Sequence, residues 1–184
     1  MKKLEKLFLN RNYQIEDDLS ETLQHLELTE ISVLGCVRLT DKFLEKIPKT
    51  LTRLNISRNN VCNEETLINL FKRCQFLSVL EMTKIKAVTD NVLKSIGENL
   101  SNSLTVLHFS NEKITEECLV ENVLKKCLSL KSLQVPFCSN LGFETLSNYQ
   151  TNLENLTVTK NFSVNNDLFT KSTLFPNLLN LIEL

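Results

Sequence analysis

With 184 residues, 42% of them hydrophobic, the chain can bury one sizeable core and is too apolar for a disordered segment. Its 21 basic and 22 acidic side chains leave a net charge of -1, which excludes a global field for nucleic acid or an anionic membrane. Three glycines, three prolines and no apolar run of about eighteen residues or more argue for one elongated domain over 1–184, without a linker, export signal or membrane span.

An LxxLxL core opens at Leu4 and returns at Leu28, Leu51, Leu77, Leu104, Leu130, Leu153 and, less cleanly, Leu179, at intervals of 23 to 27 residues. Each core, counted from its first leucine as position 1, predicts a short half-buried strand. In the third, Leu51, Leu54 and Ile56 alternate with Arg53, Asn55 and Ser57, the period of two that puts apolar side chains on one face. Position 9 then carries Asn12, Cys36, Asn59, Cys138 or Asn161, where the chain must turn and a polar side chain or thiol can satisfy turn backbone groups. Helices follow. LTDKFLEKI after the second strand and VTDNVLKSI after the fourth begin with Thr and Asp, an N-cap pattern, before apolar residues at helical spacing. The fifth unit, LTVLHFSNEKITEECL, is one residue short before Ile114, and Ile85 and Glu112 occupy two turn positions, so local bulges are expected there. The chain enters a unit at Leu4 and stops inside one at Leu184; both ends read as cut, with Leu181, Ile182 and Leu184 as an apolar edge.

Leucines locked at positions 1, 4 and 6 with this period resemble leucine-rich repeats, whose units bury their apolar side only against neighbours. The segments GCVRLTDKFL and KAVTDNVL resemble the cysteine-containing class of that family, with Cys or Asn at the turn and a Thr-Asp helix start. The resemblance implies an α/β solenoid, a horseshoe of about seven to eight repeats with a parallel sheet on the concave face and helices on the convex face. That class is found in the substrate-recognition regions of F-box proteins and of Zyg-eleven-type cullin ubiquitin-ligase receptors. It therefore implies a non-catalytic protein-binding module, with a cullin or its adaptor among the partners. A structural or regulatory scaffold unrelated to ubiquitin is the alternative.

The cysteines sit at repeat-locked places: Cys36 and Cys138 in the turn column, Cys74 and Cys127 at equivalent helix ends, Cys62 and Cys118 near helix starts. Dispersed so, with no CxxC pair, they read as reduced packing thiols rather than a disulfide framework or metal site. Four glycosylation sequons, at Asn55, Asn99, Asn155 and Asn161, would suit secretion, but Asn55 and Asn155 fall inside predicted strands. The expectation is a cytoplasmic or nuclear protein without cofactor or metal. The only histidines, His25 and His108, have no nucleophile elbow or phosphate loop near them, so no enzyme chemistry is expected. Asp17 with Asp18, Glu64 with Glu65 and Glu116 with Glu117 read as solvated helix starts, favoured by the helix macrodipole.

Binding is expected on the concave sheet, where positions 2, 3, 5, 7 and 8 should point outward. Position 8 reads Arg11, Gly35, Arg58, Lys84, Asn111, Phe137 and Lys160, four cations and no acid, which predicts a basic ridge for an acidic protein or peptide. His108 stands outward at position 5. Leu34 and Phe137 are apolar where a solvated strand prefers polar residues, the composition of interface anchors beside arginine, unless Phe137 packs on a neighbouring loop. The candidate partner-binding residues are thus Arg11, Leu34, Arg58, Lys84, His108, Phe137 and Lys160.

Overall fold

The computed structural model describes residues 4–59, 63–136 and 152–157. Within them one sheet of seven strands, Lys6–Phe8 (β1), Glu30–Ser32 (β2), Arg53–Asn55 (β3), Val79–Met82 (β4), Val106–Phe109 (β5), Ser132–Gln134 (β6) and Asn155–Thr157 (β7), runs parallel in chain order. The register aligns position 4 of every unit: Leu7 lies beside Ile31, and Leu54, Leu80, Leu107, Leu133 and Leu156 follow in line. Parallel neighbours need a crossover of a dozen residues or more, and each unit supplies one. Helices Leu19–Leu23 (α1), Asp41–Lys46 (α2), Glu64–Arg73 (α3), Asp90–Asn99 (α4) and Glu116–Leu119 (α5) fill the first five crossovers; most of the sixth, between β6 and β7, lies outside the described residues. The expected α/β class with a parallel sheet is what forms.

The leucines explain why. Ile31, Leu54, Leu80, Leu107 and Leu133 are buried against Phe43, Leu67, Phe71, Val92 and Ile96 from the helices, in one continuous core. Each such side chain removed from water contributes roughly 1.5–3 kcal/mol. One face of the sheet is covered; the other is open, because positions 3 and 5 carry mostly polar side chains.

Adjacent units are also stitched by side chains. At position 2, the hydroxyls of Thr29, Thr52, Ser78 and Thr105 each donate to the position-2 carbonyl of the preceding unit, at 3.0–3.1 Å. In the turn column, Cys36 Sγ donates to the Leu9 carbonyl (3.0 Å) and Asn59 Nδ2 to the Val33 carbonyl (2.9 Å), each reaching back to position 6 of the unit before. That is the backbone satisfaction expected of Asn or Cys there.

Helix starts are joined in the same manner. The Thr40 amide and hydroxyl donate to the Asp17 carboxylate, and Thr115 does the same with Asp90. Asn63 donates to Asp41, while the Thr89 hydroxyl and Asn91 donate to Glu64. The N-cap side chains of Thr40, Asn63, Thr89 and Thr115 in turn accept from the first turn of their own helices. Asp17 and Glu64 are therefore clasps between units, not merely solvated acids favoured by the macrodipole. At the other helix end, the Arg73 guanidinium donates to the carbonyls of Leu44, Glu45 and Ile47, satisfying groups that the last turn of α2 leaves free.

The irregularity of the fifth unit takes two forms. Its turn is one residue shorter, and Asn111 at position 8 accepts from the Lys113 amide (3.0 Å), as Asn12 at position 9 accepts from Gln14 (3.0 Å). Its helix is the larger departure: α5 runs into a π-helical turn at Val120–Leu124. Gly97 of α4 meets this turn. A β-carbon at Gly97 would overlap the Asn122 carbonyl oxygen and stand 3.0 Å from its carbon.

The four cysteines among the described residues, Cys36, Cys74, Cys118 and Cys127, are free thiols. Burial pushes Cys118 and Cys127 up to about 11, with the Asp90 carboxylate adding to the effect on Cys118. Such thiols are poor nucleophiles. Cys62 and Cys138 lie outside the described residues, as does the Leu181–Leu184 edge. No helix among the described residues is long and apolar enough to cross a membrane.

Candidate functional site

Strand length decides where the basic residues go. The strands hold only three or four residues and end by position 6, so positions 7 and 8 belong to the turn and not to the sheet face. Arg11, Arg58 and Lys84 adopt φ values of 57°, 59° and 60°, the left-handed conformation, and Gly35 of the same column adopts 69°. Their amides continue the ladder beyond the strands: Arg11 donates to the Leu34 carbonyl (2.6 Å), Gly35 to Ser57 (2.9 Å) and Arg58 to Thr83 (2.8 Å). The Lys84 amide meets the Ser110 hydroxyl instead (2.7 Å), where the shortened turn breaks the pattern. The expected concave placement of these cations is thus corrected: Arg11, Arg58 and Lys84 form a row along the turn edge.

Leu34 moves with them. It is half-buried in the turn, donating its amide to Asn10 Oδ1 (3.0 Å), and is not an outward anchor on the sheet. Ser57 and Ser110, expected outward at position 7, are buried for the same reason. Phe137 and Lys160 lie outside the described residues. Position 10 adds members the sequence reading passed over, namely Tyr13 and Val37, both exposed, and then Lys86 and Lys113. Between the turns of the fourth and fifth units lies a hollow of about 550 Å³ lined by Lys84, Lys86, Ser110, Asn111, Glu112 and Lys113.

The open sheet face carries a different chemistry. Here a polar row crosses four strands. Asn55 Nδ2 donates to Glu81 Oε2 (2.9 Å), His108 Nδ1 stands 4.0 Å from the same oxygen, and His108 Nε2 stands 3.4 Å from Ser132 Oγ. Burial pushes the Glu81 carboxyl up against the pull of Arg53, and burial lowers His108, so the site disfavours the charged form of each. Phe8, the most N-terminal member of column 5, is 59% exposed on β1. A second hollow of about 300 Å³ lies among Phe8, Glu30, Ser32, Arg53, Asn55 and Glu81. Of the expected site residues among the described ones, His108 alone stands on this face.

Acid, imidazole and hydroxyl in that order resemble a hydrolytic triad, but the geometry differs from one. The 4.0 Å separation of His108 from Glu81 exceeds hydrogen-bond reach. The Ser132 amide, a candidate oxyanion donor, is committed to the Thr105 carbonyl (3.0 Å). Among the described residues no group of three or more His, Cys, Asp or Glu is placed to hold a metal ion.

The fold has a counterpart among solved structures. The chain is similar to a chain in the crystal structure of the Rad7 and Elc1 complex in yeast, with a TM-score of 0.71 and 17% sequence identity. The match covers 86% of this chain and 44% of that one, so this chain spans less than half the length of its neighbour. At that identity the likeness is one of fold. No protein-family model and no curated protein sequence matches the chain.

Proposed function

We propose that the chain is a non-catalytic protein-interaction module, a leucine-rich-repeat solenoid that recognises an acidic partner along its turn edge. The observation that carries this reading is the identity of the residues held in left-handed backbone. That conformation is nearly free for glycine and costs an L-residue roughly 1–2 kcal/mol. Gly35 takes it without strain, whereas Arg11, Arg58 and Lys84 keep cationic side chains there. Strain retained in a row of like charges points to use. Aligned cations attract an acidic segment at long range, and the arginine forks can hold carboxylates with paired hydrogen bonds.

The finer reading is the substrate-recognition part of a cullin-type ubiquitin-ligase receptor. It draws on the resemblance of the Thr-Asp helix starts and turn cysteines to that class, and on a neighbour in fold that was solved in a two-protein complex. A scaffold role unrelated to ubiquitin is favoured by another surface: Phe76 and Leu128, 70% and 64% exposed, precede β4 and β6 at the opposite edge of the sheet.

Affinity purification of the full chain with mass spectrometry tests the choice, run beside the variant Arg58→Glu with Lys84→Glu. Recovery of a cullin or its adaptor together with partners lost in the variant supports the ligase reading. A stoichiometric partner that the variant retains, without either, overturns it in favour of the scaffold.

A further inference from the structure

The turn edge is not uniform along its length. At the β1–β3 end it presents arginines, Arg11 and Arg58, with exposed Tyr13 and Val37 beside them. At the β4–β5 end the cations are all lysines, and they surround the hollow of about 550 Å³: Lys84 and Lys86 on one rim, Lys113 on the other. All three are exposed, and none is in an ion pair or side-chain hydrogen bond among the described residues. Glu112 is the one acid lining that hollow. Three cations against one anion leave a local charge of about +2 in a chain whose net charge is -1.

We propose that this hollow is a phosphate subsite, which takes the phosphoryl group of a phosphorylated peptide segment in the partner. The inference rests on the reading of the turn edge as the binding surface and names the chemistry of its ligand. A phosphomonoester carries about 1.5 to 2 negative charges at pH 7 and three acceptor oxygens, which matches the local charge; a single carboxylate leaves half of it unanswered. Lysine ammonium groups are compact point charges that can approach a tetrahedral anion from several sides, and three of them around one hollow concentrate charge where the arginines of the other end stand singly. The two ends of the edge therefore differ in local charge, and the doubly charged group belongs at the lysine end.

Spacing sets the length of the ligand. Arg58 lies one strand from Lys84 and Arg11 lies three, so Arg11 is about 14 Å from Lys84 at about 4.8 Å per strand. An extended peptide covers that distance in about four residues at roughly 3.3 Å each. The segment has a phosphorylated residue at the lysine end, acidic residues over Arg58, and an apolar residue about four positions away against Tyr13 and Val37.

The test uses immobilised full chain and three degenerate peptide libraries that differ only at a fixed central residue: phosphoserine, serine or glutamate. We expect the phosphoserine library to be retained at least tenfold over the other two, with acidic and apolar residues enriched on one side at the stated spacing. The triple change Lys84→Gln, Lys86→Gln and Lys113→Gln should abolish that advantage, while Lys49→Gln, Lys72→Gln and Lys94→Gln, exposed elsewhere, should leave it. Should the first triple variant fail to fold by circular dichroism, the single change Lys86→Gln must still lower retention at least threefold. Equal retention of phosphoserine and glutamate libraries, both dependent on Arg58, overturns the phosphate subsite and leaves the acidic-partner reading standing. Equal retention of all three overturns both. Displacement of the bound phosphopeptides by inorganic phosphate or by a single-stranded DNA oligomer at equal molar concentration also overturns it, because the site would then take phosphate without the peptide.

Discussion

Replacing Gly97 by alanine would ordinarily stabilise a helix, since glycine in a helix interior is about 1 kcal/mol worse than alanine. In α4 the sign should reverse. The added β-carbon overlaps the Asn122 carbonyl oxygen and lies 3.0 Å from its carbon and 3.1 Å from Lys126 Cδ. The lysine methylene can swing away; the Asn122 carbonyl cannot, because it belongs to the π-helical turn at Val120–Leu124, whose Val120, Val123 and Leu124 are buried. Forcing an extra methyl into a packed contact costs about 1–3 kcal/mol, and overlap with backbone belongs at the upper end. Subtracting the propensity gain leaves a net loss of about 2 kcal/mol. With a urea slope of about 2 kcal/mol/M, that loss lowers the unfolding midpoint by about 1 M, readable by circular dichroism at 222 nm. Lys94→Ala, exposed on the same helix, should move the midpoint by less than about 0.3 M, as surface changes do. A midpoint for Gly97→Ala equal to or above that of the unaltered chain would refute the close approach of α4 to the π turn.

Leu54→Ala or Leu133→Ala should each cost about 2–5 kcal/mol in the same melts, because each empties a buried position-4 site between neighbouring strands; a loss under about 0.5 kcal/mol would sink the column assignment. Arg58→Gly should raise stability by up to about 1 kcal/mol through relief of the left-handed strain, while weakening capture of the acidic partner; a fall of more than about 1 kcal/mol would show that the turn does not hold that conformation. Thr89→Ala should cost about 1 kcal/mol as a lost N-cap. The Glu64 carboxyl is held below its usual value first by the Thr89 hydroxyl and then by Asn91, so it contributes stability above the unfolded value of 4.5 that is lost as pH falls through the lower, folded value. In Thr89→Ala the Glu64 carbon-13 titration should move upward, and an unmoved curve would contradict the clasp. Cys118 and Cys127, pushed up to about 11, should alkylate slowly in the folded chain at pH 8, and all six thiols should react once it is unfolded without reductant. A pair protected after unfolding would reveal a disulfide.

The sheet could be read from the sequence because leucine at positions 1, 4 and 6 leaves no other arrangement in which every unit buries its apolar side. The turn column could be read for a similar reason: Cys36 and Asn59 are residue types that serve backbone groups, and both do. Strand alternation carried to position 8 predicts cations on the open face, but the strands end by position 6 and the turn takes Arg11, Arg58 and Lys84 to its own edge. The usual sign of a left-handed residue is glycine or asparagine; in that column Gly35 carries the sign and the conformation, Asn111 carries the sign without it, and arginine and lysine conceal the same backbone. Lys86 and Lys113 were missed because they lie in a second turn column, with the fifth unit a residue short between them. The clasps of Asp17 and Glu64 were invisible for another reason. Each acid meets its partner 23 or 25 residues later, a distance at which only the folded stack brings side chains together.

Those clasps run in one direction. The carboxylate always belongs to the earlier unit and the hydroxyl or amide it receives to the later one, as with Asp17 and Thr40, Glu64 and Thr89, and Asp90 and Thr115. By accepting the hydroxyl's hydrogen bond, the acid leaves the oxygen lone pairs of Thr89 and Thr115 to the amides of Val92 and Cys118. The caps of α2 to α5 are thus each steadied by the unit before. Order entering from the N-terminal side would pass from unit to unit with each cap already set, whereas order entering from the C-terminal side would meet helices whose first turn is unprepared. The stack therefore has a grain, laid in the sense in which a ribosome would deliver it.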